Sequence, residues 1–314
     1  MKTLINKRTL IGEVILSLLA ISGLIRTIFI QKNIVITLVL SLLFVFLIIS
    51  VIFKLKNTTY KEESLSINLI YAMANLIVSS FLVYSFHNYL NIHFLIMVPI
   101  VGLVGALFIN KFENALYIGA FIGMTSVGIG YFSVIVVISA LLYSLIENAY
   151  SGYGGKLGSS AFFAGVFIAI FAKNEILVTY TPVEVYLIII AAVISALLTG
   201  IIQRHYNLST VLSSAFVGLI GSIFLLIPNF SYGTLITSVI LGASFIGMTT
   251  KENLKLNYLL VVALLFSFLI IYLPFGGIGG KLGFTAFLSV LIVKGISNLL
   301  DPYLNKINSL KRRN

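Results

Sequence analysis

Apolar runs of about 18 residues or more follow one another along this chain, and each is long enough to cross a bilayer. Short polar breaks separate them. Of the 314 residues, 60% are hydrophobic and only 9% are charged, and the mean hydropathy is +1.12. A soluble domain carries charge on about a quarter of its residues. A membrane barrel would show short segments of alternating polarity, and the sequence has none. The expected fold class is therefore an all-α polytopic membrane protein.

The spacing predicts spans at roughly 9–30, 34–53, 66–86, 93–110, 115–129, 131–147, 157–172, 182–203, 209–227, 233–250, 256–274 and 282–300, about twelve transmembrane helices. The fifth is short and rich in glycine (Gly119, Gly123, Gly128, Gly130), as a re-entrant or broken helix would be. The leading Lys2, Lys7 and Arg8 resemble a signal peptide, but no small-residue cleavage site follows, so a retained first helix is expected. With the N-terminus inside, only Arg26, Lys32, Lys173 and Lys281 of the 20 lysines and arginines lie outside. That bias predicts a multi-pass protein of the cell (cytoplasmic) membrane with both termini cytoplasmic. A single miscounted helix would scramble the bias, so the total is expected to be even.

Short stretches recur in the same order. Gly152-Tyr-Gly-Gly-Lys156-Leu-Gly158 returns as Gly277-Ile-Gly-Gly-Lys281-Leu-Gly283. Val101–Phe108 matches Val217–Phe224, Phe121–Ser126 matches Phe245–Thr250, and His87–Asn91 loosely matches His205–Leu208. Collinear matches of this kind indicate a duplication. The expected organisation is a two-helix segment over 1–65, a first five-helix repeat over 66–172, a second over 182–300 and a basic cytoplasmic tail over 301–314. Five drawn spans separate Lys156 from Lys281. An odd number puts the two lysine turns on opposite sides of the membrane and makes the repeats inverted. A re-entrant fifth segment in one copy only would make them parallel.

The turns are also the main site candidates. Glycines let the backbone turn tightly and approach a ligand, and a helix beginning at a lysine offers free N–H groups and positive charge. The substrate-binding candidates are Gly154, Gly155, Lys156, Gly158, Ser159 and Ser160, with Gly279, Gly280, Lys281, Gly283 and Thr285 in the second copy. The alternative is that each lysine reaches lipid headgroups and each glycine cluster is only a turn. Gly123 with Thr125, and Gly247 with Thr249, are further candidates, with close helix packing as the competing role. Packing is the expected role of Gly102, Gly105, Gly218 and Gly221. Asn68 and Asn75 suit either a polar pathway or helix–helix hydrogen bonds.

Glu13, Glu147 and Glu184 fall near span ends, which argues against a carboxylate-driven proton mechanism. Glu13 is expected to pair with Arg8 at the interface, and Glu147 to neutralise Lys156. His87, His93 and His205 lack metal-site spacing, and with no cysteine there are no disulfides or thiolate metal sites. No nucleotide loop, nucleophile triad or carboxylate pair is visible, so no enzyme activity, cofactor or metal is expected. The +11 charge sits in loops between spans and suits membrane lipids rather than nucleic acid. Self-association into a homo-oligomer is allowed. The expected function is a channel or secondary transporter for a small polar or anionic solute, its pathway at the interface of the repeats. The alternatives are a translocase for a lipid-linked phosphate headgroup and a non-transporting membrane subunit or enzyme.

Overall fold

The computed structural model describes residues 7–57, 67–126, 128–172, 179–274 and 278–311. Lys2, Lys61, Lys173, Gly277, Arg312 and Arg313 lie outside the described residues. Among those described, the chain is all-helical. The α-helices run α1 (Lys7–Ile30), α2 (Ile34–Asn57), α3 (Ile67–Leu90), α4 (Phe94–Phe108), α5 (Glu113–Ile122), α6 (Ile129–Ile146), α7 (Lys156–Ala172), α8 (Pro182–Tyr206), α9 (Thr210–Ser222), α10 (Gly233–Gly247), α11 (Leu256–Tyr272) and α12 (Lys281–Lys311). Five of them, within α1, α2, α3, α8 and α12, are long and apolar enough to cross a membrane. The outward side of α2 carries exposed Val35, Leu38, Leu42, Val45 and Ile52, a surface suited to lipid rather than to water.

Local signals set the helix boundaries. Thr181, Pro182 and Glu184 form a full capping box that starts α8. His93 caps α4 by accepting from Leu95 N–H, and Ser209 caps α9 by accepting from Leu212 N–H. The bends before those caps are alike: Asn91 and Asn207 both take the left-handed conformation, at φ 55° and 50°. Helix α3 packs on α5 and α6, and α8 on α10 and α11. Glycines bring these pairs close: a Cβ on Gly123 would meet Val83 and the Ser80 carbonyl, and one on Gly247 would meet Thr199 and the Ala196 carbonyl.

The helices fall near the drawn spans, although only five of them are long and apolar enough to cross a membrane. The fifth segment, drawn as 115–129, coincides with the short α5, whose ten residues make about 15 Å of helix against a hydrocarbon core of about 30 Å. The helix ends where Gly123 approaches α3, and the chain does not become helical again until α6. Helix α12 continues past residue 300 to Lys311, so most of the segment drawn as a tail is helical. The N-terminal hairpin spans both halves of the sequence. Gly12 of α1 lies against the Leu145 carbonyl of α6, Gly23 against the Phe284 ring, and Gly295 of α12 against the Phe46 carbonyl of α2.

Candidate functional site

The connection from α6 to α7 sends Ala149, Tyr150 and Tyr153 into the core, while Asn148 and Ser151 stay exposed. It reaches the interior by glycine conformations: Gly152 and Gly155 have φ of +76° and +78°, and Gly280 in the second turn has +86°. A Cβ on Gly155 would strike Phe287 N and the Gly283 carbonyl, and one on Gly280 would strike the Gly158 carbonyl and Phe162 N. Between them, a Cβ on Gly158 would lie 2.5 Å from Gly283 Cα, and the reverse holds for Gly283. As the position rises along α7 it falls along α12, so the two helices cross antiparallel within their first turns.

The two lysine turns, drawn from the sequence five spans apart, meet at this crossing. They touch. Sequence spacing counts helices between two points and is blind to contacts made by the connections themselves.

The threonine candidates belong to the same crossing. Gly154 N–H donates to Thr249 Oγ1 at 3.2 Å, and Gly279 N–H donates to Thr125 Oγ1 at 3.2 Å. Each threonine therefore holds the turn of the other copy. Thr249 Oγ1 also donates to the Ile246 carbonyl at 2.7 Å, so the back-bonded role expected of it is present beside the capping one. The Phe121 and Phe245 rings meet edge to face at 4.9 Å, and Phe162 stacks on Phe284 at 4.5 Å. All four rings are buried at the crossing. Ser159, Ser160 and Thr285 are buried and donate to the carbonyls of Gly155, Lys156 and Lys281 one turn back. Their hydrogens are thus directed along their own helices, not toward a ligand.

Beside the first turn lies a cavity of about 220 Å³, lined by Ser151, Gly152, Gly155, Lys156, Asn114 and Thr210 among others. The starts of α5, α7 and α9 converge on it. The Lys156 ammonium donates to the Glu147 carbonyl at 2.7 Å, while Tyr143 Oη donates to Glu147 Oε1 at 3.4 Å. Glu147 meets the lysine through its backbone carbonyl, and its carboxylate also lies close enough to act favourably on the ammonium. The turn is anchored to the loop after α10: Thr250 N–H donates to the Gly152 carbonyl at 3.0 Å, and Asn253 Nδ2 to the Ser151 carbonyl at 3.3 Å. Arg204 Nη2 braces the same loop through the Thr249 and Leu254 carbonyls, at 3.1 and 2.9 Å.

Sequence reasoning missed one cluster. Glu13, expected at an interfacial helix end, is 1% exposed, and its Oε1 lies 3.1 Å from Lys54 Nζ. Lys54 Nζ also sits 5.9 Å from the Tyr150 ring centre and 6.0 Å from that of Tyr153. Arg8 donates to the Ser144 carbonyl at 2.8 Å. Lys54 stood in the sequence only as an inner-loop charge, and nothing in spacing connects α2 to the turn at 150–156.

The remaining candidates fall away from this centre. Gly102 packs on Tyr117 and Ala215, and Gly218 on Leu241 and Pro99, the packing role expected of them. Asn68 Oδ1 accepts from Lys111 Nζ at 2.8 Å on an exposed face, and Asn75 donates to the Tyr71 carbonyl at 2.8 Å, so neither faces a buried pathway. Among the described residues no group of His, Asp and Glu is placed to hold a metal ion. Compared with protein-family models, curated proteins and solved structures, the chain finds no match in any of the three.

Proposed function

We propose that this chain is a multi-pass membrane channel or secondary transporter that passes a small polar or anionic solute between two inverted five-helix repeats. The observation that carries the reading is the mutual capping of the lysine turns, Thr249 on Gly154 and Thr125 on Gly279. Exchanging the copies turns one bond into the other, as a twofold axis in the membrane plane requires. The same exchange converts Gly102 on Ala215 into Gly218 on Pro99, and Gly155 on Phe287 into Gly280 on Phe162. In this reading about twelve helical segments contribute, several of them too short to span alone. Short, glycine-interrupted helices whose N-termini meet inside the protein are the usual device for a binding site at mid-membrane.

The buried rings at the crossing make this a closed state, with the cavity at Lys156 as the entrance on the side of the 250–255 loop. Lys156 and the converging helix starts make that entrance electropositive, which favours an anion or the electron-rich face of a polar solute. The test is flux through reconstituted vesicles against a panel of small anions and neutral solutes. Lys156→Met with Lys281→Met should lower flux of the preferred solute by at least about tenfold. Unchanged flux would leave both lysines as structural anchors and overturn the reading.

A further inference from the structure

Three of the residues lining the cavity beside Lys156 sit at helix ends: Asn114 in the first turn of α5, Thr210 at the start of α9, and Met248 just past α10. One turn inward from each, on the same helix face, stand Tyr117, Ser214 and Ser244. All three are fully buried. Tyr117 Oη lies 3.2 Å from Ser214 Oγ, Ser214 Oγ lies 2.8 Å from Ser244 Oγ, and Ser244 donates to the Leu241 carbonyl at 2.7 Å. A hydroxyl has one hydrogen to give, so Ser214 donates to Ser244 and Tyr117 donates to Ser214. The row commits every hydrogen it has and keeps only oxygen lone pairs free.

Packing does not require these hydroxyls. The exchange of copies that carries Gly102 to Gly218 carries Tyr117, which a Cβ on Gly102 would meet, to Leu241, which one on Gly218 would meet. It also carries Ser214 to Val98 and Ser244 to Ala120, and these three apolar residues are fully buried as well. The same crossing is thus built once with three hydroxyls and once with none. Polar side chains in a membrane interior are expensive, and a solute or ion path is their usual reason. Beside the row, the Tyr117 ring lies 4.4 Å from that of Phe121 and 6.0 Å from that of Phe245. A line of oxygen acceptors therefore runs along a wall of apolar rings.

Helices α5, α9 and α10 contain no basic residue. At the outer end of the row the carboxylate of Glu113, next to Asn114, accepts from Ser209 Oγ at 2.8 Å. An anion entering here would shed its water against lone pairs and a carboxylate, with no donor or cation to replace it. A neutral solute bearing N–H or O–H groups exchanges its water for these acceptors. We propose that the solute path leaves the cavity along this row, and that the row selects small uncharged solutes bearing N–H or O–H donors while anions stop at Lys156. Resting on the transport reading, this narrows the solute to an amide or a polyol, whose electron-rich oxygen Lys156 meets at the entrance.

Methanesulfonamide and methanesulfonate test the class, being alike in shape and different in charge and in N–H donors. In reconstituted vesicles, with empty-vesicle leak subtracted, methanesulfonamide and glycerol should enter at least about tenfold faster than methanesulfonate. Tyr117→Phe and Ser244→Ala each remove one hydroxyl, and each should lower that uptake about threefold to tenfold. A lowered Tm with uptake per folded protein unchanged would make the hydroxyls packing bonds only and overturn the proposal.

A second measurement needs no transported solute. The chain has no cysteine, so Ser151→Cys reports the cavity, Ser214→Cys the row and Ser267→Cys the buried interior of α11. Each is treated with uncharged 2-hydroxyethyl methanethiosulfonate and with its anionic sulfonatoethyl analogue, and the ratio of the two rates cancels thiol ionisation. The ratio should be at least about tenfold higher at Ser214→Cys than at Ser151→Cys, with Ser267→Cys unreactive toward both. Equal ratios, no reaction at Ser214→Cys, or equally fast reaction at Ser267→Cys would overturn the proposal. Faster entry of methanesulfonate would overturn it while keeping the transport reading. Absent flux of every probe with the labelling ratio intact would sink the transport reading and leave the row as an access path for uncharged molecules.

Discussion

Replacing Gly158 by alanine tests the helix crossing at its tightest point. The new Cβ would lie 2.5 Å from Gly283 Cα, 3.1 Å from Gly283 N and 3.3 Å from the Gly280 carbonyl oxygen. All three are backbone atoms, so no side chain can rotate aside, and relief requires α7 and α12 to separate. Overpacking of a close-packed interior costs about 1–3 kcal/mol, and a backbone-on-backbone clash belongs near about 3 kcal/mol. At about 2–4 °C of Tm for each kcal/mol, Tm should fall by about 6–12 °C. Thermal unfolding of the purified protein, followed by intrinsic tyrosine fluorescence, reads the shift. Gly283→Ala should behave alike, and the double substitution should lose less than the sum, because one separation relieves both clashes. Gly130→Ala is the control: its Cβ meets nothing within 4 Å, and alanine suits a helix better by about 0.5–1 kcal/mol. A Tm for Gly158→Ala within about 1 °C of the parent would refute the close crossing.

Thr249→Val and Thr125→Val keep side-chain volume but remove the acceptors of Gly154 N–H and Gly279 N–H; each should cost about 1–3 kcal/mol by the same unfolding assay, in similar measure. Lys54→Met strips a buried carboxylate of its neighbour and should cost about 3 kcal/mol, while adding Glu13→Gln should restore at least about half; a double-mutant cycle measures the coupling. His93 accepts Leu95 N–H through Nδ1, and burial, then the nearby His87, holds its pKa below the usual histidine value. Its neutral form is therefore favoured by folding: that stability is present above about pH 6.5 and is lost as pH falls through the lowered folded value. The loss, under about 1 kcal/mol for a half-exposed cap, should disappear in His93→Asn when unfolding is compared at pH 7.5 and pH 5.

Much of the helical framework was legible because apolar runs act locally, whereas the caps and the Asn91 and Asn207 bends came only with the structure. The repeat of Gly-Gly-Lys marked Gly155, Gly158, Gly280 and Gly283, since only close backbone approach keeps so many glycines in one turn. Their partners were not legible. Nothing local says that Gly158 meets Gly283, or that Thr125 caps the turn of the other copy, because these contacts join residues more than a hundred positions apart. Glu13 misled for a related reason: its distance along α1 from the chain end suggested an interface. Its burial comes with Lys54 of α2 and with Tyr150, joined to it through Ser17.

Inverted repeats place the bend after Thr125 and the bend after Thr249 on opposite faces of the membrane. Ser126 and Lys251 are both exposed, and the cysteine-free chain accepts a single reporter at either. Labelling of intact cells with a membrane-impermeant maleimide distinguishes the faces directly. Ser126→Cys should react from outside, and Lys251→Cys only after the membrane is opened. Reaction of both from the same side would make the repeats parallel and contradict the twofold pathway.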